Sequence, residues 1–256
     1  MITYKITDGI NGAPKIPGDK SISHRSIIIP SISKGICEIN NILKSDDVLH
    51  TLNAFKSMGV KIIEENSKLI IHGKGLNSLK EPAEEIYLGN SGTSARLLTG
   101  LLSSQKFNSI LVGDKSLSNR PMKRISDPLK RMNAKIRTTN GSLPITIEGN
   151  ALVSSNIEIE IPSAQIKSGL ILASLNTDGE TIITENKITR DHTETMLNSF
   201  EADIKIEKFN NKKIIKIVGK KELVSRNIDV PNDFSSSAFF IVAALINNNS
   251  HIILKD

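Results

Sequence analysis

A mixed α/β fold built from repeated β-α-β-α-β-β units is predicted by three observations on this 256-residue sequence. Short polar heads rich in Gly, Pro, Ser and Asn begin at Pro17, Gly89, Pro162 and Pro231, a spacing of about 70 residues that marks a repeated supersecondary unit. After each head, helical and strand periodicities alternate in the same order. In the first three repeats the last two strand-like runs flank a turn signal, as the arms of a hairpin do.

Ile2 to Ile6 reads as an opening strand and leads through Gly9 to Gly12 into the first head. That head, Pro17-Gly18-Asp19-Lys20-Ser21-Ile22-Ser23-His24-Arg25, reads as a tight turn, an Asp able to cap, and a helix continued by the apolar run Ser26 to Pro30. Free amides at a helix start favour an anion; Lys20 and Arg25 add full charges and Ser21 a neutral donor. The stretch therefore predicts a phosphate or carboxylate cradle, the alternative being a capped surface helix with solvated basic residues. The other heads are Gly89-Asn90-Ser91-Gly92-Thr93-Ser94-Ala95-Arg96, Pro162-Ser163-Ala164-Gln165-Ile166-Lys167-Ser168 and Pro231-Asn232-Asp233-Phe234-Ser235-Ser236-Ser237.

Strands are expected after the head helices at Ile36 to Leu43, Asn108 to Gly113, Glu180 to Glu185 and Ser250 to Leu254. Second helices follow at Ser45 to Met58, Arg120 to Met132 and Arg190 to Phe200; in the first of these, Val48, Leu49, Leu52, Phe55 and Met58 keep helical spacing. The hairpins are Val60 to Glu64 with Leu69 to His72, Ala134 to Thr138 with Ile145 to Glu148, and Ile204 to Glu207 with Ile214 to Val218. Their turns are Glu65-Asn66-Ser67, Asn140-Gly141 and Asn210-Asn211. The fourth repeat reaches Asp256 with neither second helix nor hairpin. Such a half-unit leaves an apolar helix and a sheet edge uncovered, so the sequence is expected to be the front part of a longer protein.

The formal charge is +6, with 38% hydrophobic and 4% aromatic residues. The cations are scattered and aromatics to stack on bases are few, so a nucleic-acid partner is not expected. No apolar stretch approaches the ~18 residues of a bilayer span, and no secretory leader is visible, so a cytoplasmic protein without a membrane partner is expected. Cys37 is the sole cysteine, and nothing near it has metal-ligand spacing.

Five stretches together carry a resemblance: the first head; Leu88-Gly89-Asn90-Ser91-Gly92-Thr93; Gly113-Asp114-Lys115-Ser116-Leu117-Ser118-Asn119-Arg120-Pro121-Met122; Pro162 to Ser168; and Arg190-Asp191-His192-Thr193-Glu194. In this order the chain resembles the 5-enolpyruvylshikimate-3-phosphate synthase family of enolpyruvyl transferases. The resemblance implies two domains of three units each, with the active site in the cleft between them and the second domain truncated here. Residues 17–228 would form the first domain, 1–16 a strand belonging to the second, and 229–256 the start of the second. It also implies transfer of the enolpyruvyl group of phosphoenolpyruvate to the 5-hydroxyl of shikimate 3-phosphate with release of phosphate, no metal or organic cofactor, and a monomer at full length.

Carried residue by residue, the resemblance implies that Lys20 lies between both substrates and assists catalysis. Ser21, Arg25, Ser163, Ala164, Gln165 and Arg190 would join it around shikimate 3-phosphate, and Asn90, Gly92, Arg120 and Gln165 around phosphoenolpyruvate. Each has a plainer reading: solvated basic residues, a Gly-containing helix entry, an exposed arginine, or a cap at Ser163. His24 and His192 read as structural, and Asp46-Asp47 as a helix cap. Asn232 stands where the family usually has Gly and is expected to perturb the turn between domains. The family's remaining acid–base groups and a second set of arginines would lie beyond residue 256, so the chain alone should turn over little. Two other readings stand beside this one. A UDP-N-acetylglucosamine enolpyruvyl transferase would carry a reactive Cys on a mobile loop, whereas Cys37 lies in an apolar strand. A non-catalytic polyanion-binding module would bind with steep salt dependence.

Overall fold

The computed structural model describes residues 9–65 and 68–255. The expected strand Ile2 to Ile6, and Asn66-Ser67 of the first hairpin turn, lie outside the described residues. β1 (Asn11–Gly12) is followed by the first unit: α1 (Lys20–Ser31), β2 (Lys34–Asn40), α2 (Asp46–Ser57), β3 (Lys61–Glu65) and β4 (Lys68–Lys74). The second unit holds β5 (Ile86–Tyr87), α3 (Gly92–Ser103), β6 (Ser109–Val112), α4 (Lys115–Ser118), α5 (Lys123–Arg131), β7 (Lys135–Thr139) and β8 (Ser142–Glu148). The third holds β9 (Asn156–Ile159), α6 (Ala164–Ser174), β10 (Glu180–Glu185), α7 (His192–Ser199), β11 (Ile204–Phe209) and β12 (Lys212–Val218). β13 (Ile228–Asp229), α8 (Phe234–Leu245) and β14 (His251–Ile252) complete the order.

Each head helix starts where its polar head supplies a cap. Asp19 Oδ1 accepts the Ile22 amide at 2.8 Å, Ser91 Oγ that of Ser94 at 3.2 Å, Ser163 Oγ that of Ile166 at 3.4 Å, and Asp233 Oδ1 that of Ser235 at 2.8 Å. Three four-stranded sheets share one strand order, β13-β2-β4-β3, β5-β6-β8-β7 and β9-β10-β12-β11. In each, a parallel edge pair is followed by two antiparallel pairings. The turns Asn140-Gly141 and Asn210-Asn211 carry positive φ at Asn140, Gly141 and Asn210, the backbone that hairpin turns require.

The three sheets surround α1, α3 and α6, which are buried on nearly every side. Their serines and threonines survive burial by bonding back one turn, as Ser31 Oγ does to Ile27 O, Thr99 Oγ1 to Ala95 O and Ser174 Oγ to Leu170 O. α3 and α6 cross backbone to backbone: a Cβ on Gly100 would lie 1.9 Å from the Gly169 carbonyl oxygen. The outer helices α2, α5 and α7 bury one side only. In α2 this side includes Val48, Leu52 and Phe55, while Leu49 is 36% exposed at its edge.

Several boundaries differ from the sequence expectation. Asp114 caps an unforeseen short helix, α4, so α5 begins at Lys123 rather than Arg120. Likewise α7 begins at His192 rather than Arg190, and the expected strand Ser250 to Leu254 shrinks to His251–Ile252. The residue at the cap position of α2 is Ser45; Asp46 and Asp47 fill the first turn, where their charge suits the helix dipole.

The connection between repeats also differs. β2 takes its parallel edge partner from β13, more than 180 residues away, while β1 pairs with β14. The two segments that cross between these sheets run side by side, with Asp19 N donating to Pro231 O and Asp233 N to Pro17 O, each at 2.8 Å. Asn232 does not disturb this junction. It has no positive φ that would favour Gly, and it links Asn41 Nδ2 (2.9 Å) to the Lys255 carbonyl (2.7 Å). Among the described residues no helix is long and apolar enough to cross a membrane.

Candidate active site

The first two turns of α1, α3 and α6 are tied to one another pairwise. His24 Nδ1 on α1 and Ser94 Oγ on α3 both meet Thr51 Oγ1 of α2, at 2.8 and 2.6 Å. Between α3 and α6, Arg96 Nη1 donates to Gln165 Oε1 and Gln165 Nε2 to Thr93 Oγ1, both at 2.8 Å. Between α6 and α1, Arg25 Nη2 donates to Ser168 Oγ at 2.7 Å, while Arg25 Nε donates to Thr193 Oγ1 of α7 at 2.6 Å. Gln165 and Ser168 are three residues apart and so share one side of α6. Three helix starts with their free amides thus converge on one face, an arrangement that favours anions.

Of the expected residues, Lys20, Ser21 and Arg25 lie on α1, Ser163 and Ala164 at the start of α6, and Arg190 just before α7. Arg25 is 4% exposed, and its remaining hydrogen bond goes to the Ser21 carbonyl at 2.7 Å. Burial pulls its guanidinium down to about 10; Glu194 and Asp19 oppose the fall, and Arg190 adds to it. Lys20 forms an ion pair with Asp47 at the first turn of α2. Ser163 and Ala164 open α6, Ser163 as its cap, so the plain capping role is realised. Arg190 is exposed just before α7, close enough to Arg25 and His192 to shift both.

Around α3 and the turn before α5 lie Asn90, Gly92, Arg120 and Gln165. Arg120 Nη2 donates to Asn90 Oδ1 at 2.6 Å. A Cβ on Gly92 would sit 2.8 Å from Arg120 Nη1 and 2.9 Å from Arg96 Nη1, so the missing side chain is what lets two guanidinium groups approach the start of α3. Arg96 is held below its ordinary value by partial burial and then by Arg120 and Arg124. The face is open. A neighbouring cavity of ≈ 230 Å³, lined by Arg124, Arg131, Glu158, Ile166 and Leu170, contains none of the residues expected at the site. Among the described residues no group of three or more His, Cys, Asp or Glu is placed to hold a metal ion.

A family model described as EPSP synthase (3-phosphoshikimate 1-carboxyvinyltransferase) matches residues 4–256. The chain belongs to the EPSP synthase family. It is 48% identical over 249 residues to the 3-phosphoshikimate 1-carboxyvinyltransferase of Oenococcus oeni, covering 96% of this chain and 56% of that protein. To the enzyme of the same name from Geotalea uraniireducens it is 47% identical over 255 residues, covering 99% of this chain and 58% of that protein. A solved structure of EPSP synthase from Acinetobacter baumannii superposes with a TM-score of 0.89 at 47% identity, over 96% of this chain and 56% of that one. The chain therefore spans a little over half the length of the curated relatives it matches. The repeated-unit α/β fold is the enolpyruvyl-transferase fold of these EPSP synthase neighbours.

Four residues of this face had no role assigned from sequence: Arg96, Thr93, Ser168 and Thr193. All sit inside the quoted motifs, and Arg96, one turn after Gly92, was the readable signal because it places a cation four residues from a bare helix start. His24 is fully buried and pushed down to about 3, chiefly by burial, so it is a neutral link of the α1–α2–α3 network. Cys37 is buried and donates to the Arg226 carbonyl at 2.9 Å; burial, then Glu38, pushes its thiol up to about 12, which removes thiolate reactivity.

Proposed function

We propose that this chain carries the substrate-binding face of a 3-phosphoshikimate 1-carboxyvinyltransferase, which moves the enolpyruvyl group of phosphoenolpyruvate to the 5-hydroxyl of shikimate 3-phosphate and releases phosphate. The observation that carries the reading is the convergence of three helix starts with Lys20, Arg25, Arg96, Arg120 and Arg190 on one face. Two phosphates and two carboxylates must be brought together, and their mutual repulsion has to be offset by fixed cations and oriented amides. Lys20, Ser21, Arg25, Ser163, Ala164, Gln165 and Arg190 would hold shikimate 3-phosphate; the Arg25 fork suits a planar anion. Asn90, Gly92, Arg120 and Gln165 would hold phosphoenolpyruvate, with Arg96 orienting Gln165.

In the reaction, the 5-hydroxyl gives up its proton as its oxygen bonds to C2 of phosphoenolpyruvate and C3 gains a proton, giving a tetrahedral intermediate. Loss of a C3 proton and of phosphate from C2 then restores the double bond. Lys20 is the proposed catalytic residue in this chain; its ammonium bridges the two anionic substrates, and Asp47 holds it in the interval. The inert Cys37 favours shikimate 3-phosphate over UDP-N-acetylglucosamine as acceptor. The same reading divides the chain at residues 1–16, 17–228 and 229–256 and carries a cytoplasmic location and a monomeric full-length enzyme.

Calorimetric titration of the chain with shikimate 3-phosphate, with UDP-N-acetylglucosamine as control, tests the reading. Selective binding lost in both Arg25→Ala and Gln165→Ala is expected. Equal binding of both compounds, or binding that the substitutions leave intact, would count against it.

A further inference from the structure

Among the described residues, three cationic side chains are buried: Arg25, Lys167 and Lys213. Two of them are neutralised from within. Lys167 Nζ lies 2.8 Å from Glu185 Oε2 and 2.8 Å from Glu194 Oε1, and Lys213 Nζ lies 3.1 Å from the same Glu194 oxygen. All four groups are almost wholly shielded from solvent, and their formal charges cancel. Lys213 also faces Asp191 at 3.6 Å, and Glu194 holds the Lys213 ammonium above its ordinary value although burial opposes this. Arg25, by contrast, is in no described ion pair, and its three hydrogen bonds go to the neutral oxygens of Ser21, Ser168 and Thr193.

The two arrangements are mechanically joined. α6 and α7 touch at consecutive residues, Lys167 with Glu194 and Ser168 with Thr193, the latter at 2.7 Å. The first contact belongs to the charged quartet, the second to the shelf under Arg25. Glu194 Oε2 is buried with no hydrogen-bond partner, and Glu194 is the carboxylate that acts most strongly on Arg25. Glu194 follows Thr193, on which Arg25 rests, so an unsatisfied buried carboxylate oxygen sits within electrostatic reach of a guanidinium that is in no described ion pair.

We propose that Lys167 and Lys213 are positioning residues for the anion site: they retain Glu194 within the quartet, so that it cannot neutralise Arg25. Through the Lys167–Glu194 contact they also set Ser168 and Thr193 as neutral acceptors that orient the guanidinium. This rests on the reading of the α1–α6–α7 face as the shikimate 3-phosphate site. Without Lys213 the quartet carries an excess negative charge, and Glu194 turns to Arg25 as its counter-ion. The site then loses the free charge of Arg25 without losing a single residue that touches the ligand.

The test compares the wild-type chain with Lys213→Met, Glu194→Gln and Lys213→Met/Glu194→Gln by solved structures and by titration with shikimate 3-phosphate. In the structure of Lys213→Met, Glu194 is expected within hydrogen-bond distance of Arg25. A Glu194 that stays on Lys167, with Arg25 still on Ser168 and Thr193, overturns the proposal without reference to any ligand. In titrations Lys213→Met weakens binding by roughly tenfold or more. The double variant returns it to within about threefold of wild type, because removing the surplus carboxylate frees Arg25 again. A double variant as weak as the single would mean that Lys213 acts through packing alone, and would overturn the proposal. Should Lys213→Met fail to fold, Glu194→Gln decides: binding at least as tight as wild type is expected, and a tenfold loss contradicts the account. If wild type itself ignores shikimate 3-phosphate while the Arg25–Glu194 pair forms in Lys213→Met, the ligand reading falls and the positioning role stands.

Discussion

Gly92 and His24 show how single side chains hold the face in its working state. At Gly92 a methyl group would press against two guanidinium groups at once, Arg120 Nη1 at 2.8 Å and Arg96 Nη1 at 2.9 Å. Gly92→Ala is therefore expected to displace Arg120 from Asn90 and to weaken phosphoenolpyruvate binding by roughly 10- to 100-fold, leaving shikimate 3-phosphate affinity within about twofold. Parallel titrations of the two ligands check this. His24, pushed down to about 3 by burial, stays neutral in the folded chain where the unfolded chain takes up a proton near its ordinary value of 6.5. Unfolding then binds the extra proton, so the His24 contribution to stability is constant above pH 6.5 and is lost as pH drops toward 3, by about 1.4 kcal/mol per pH unit at the steepest. His24→Asn removes this titration, and its urea-unfolding free energy should decline less steeply than wild type between pH 6.5 and 4. At this scale Lys20, Ser21, Arg25, Asn90, Arg120 and Gln165 could be proposed from sequence because they lie in local motifs at or just before helix starts. Thr93, Ser168 and Thr193 were not, because their roles come from partners in another repeat, about 70 residues or more along the chain, which no local pattern specifies.

The crossing of α3 and α6 sets two effects against each other. Alanine is the better helix former, and Gly100→Ala should gain about 1 kcal/mol from backbone propensity alone. The new Cβ would, however, lie 1.9 Å from Gly169 O, and backbone cannot yield as a flexible side chain does. The clash wins, and a net loss of about 2 kcal/mol or more is expected from chemical denaturation; a stabilised variant would mean that the helices cross less closely. Because Arg96 and Gln165 hang from these same helices, the variant should also loosen their hydrogen bond. The heads, hairpins and second helices were readable from caps, turn residues and period. The swap of edge strands was not, because β13 and β14 supply only two residues each and carry no periodicity of their own. α8 presents Phe234, Phe239 and Leu245 with 77%, 79% and 79% exposure, an apolar side whose pattern was visible but whose covering is not among the described residues.

Over the whole molecule, the three repeats place three helix starts on one face and close them into a triangle through His24, Gln165 and Arg25. The fold class and the family followed from sequence because the period and the five ordered motifs are distributed along nearly all of the chain. The electrostatic design behind the face was not legible, since Lys167, Glu185, Glu194 and Lys213 meet only once α6, β10, α7 and β12 are packed. On the proposed reading this face, rather than a cavity elsewhere, receives the acceptor substrate. A crystal structure of the chain grown with saturating shikimate 3-phosphate tests it most directly. An ordered ligand is expected against Lys20, Ser21, Arg25, Ser163 and Arg190; a ligand lodged in the ≈ 230 Å³ cavity beside α5, or no ordered ligand at saturation, would overturn that reading.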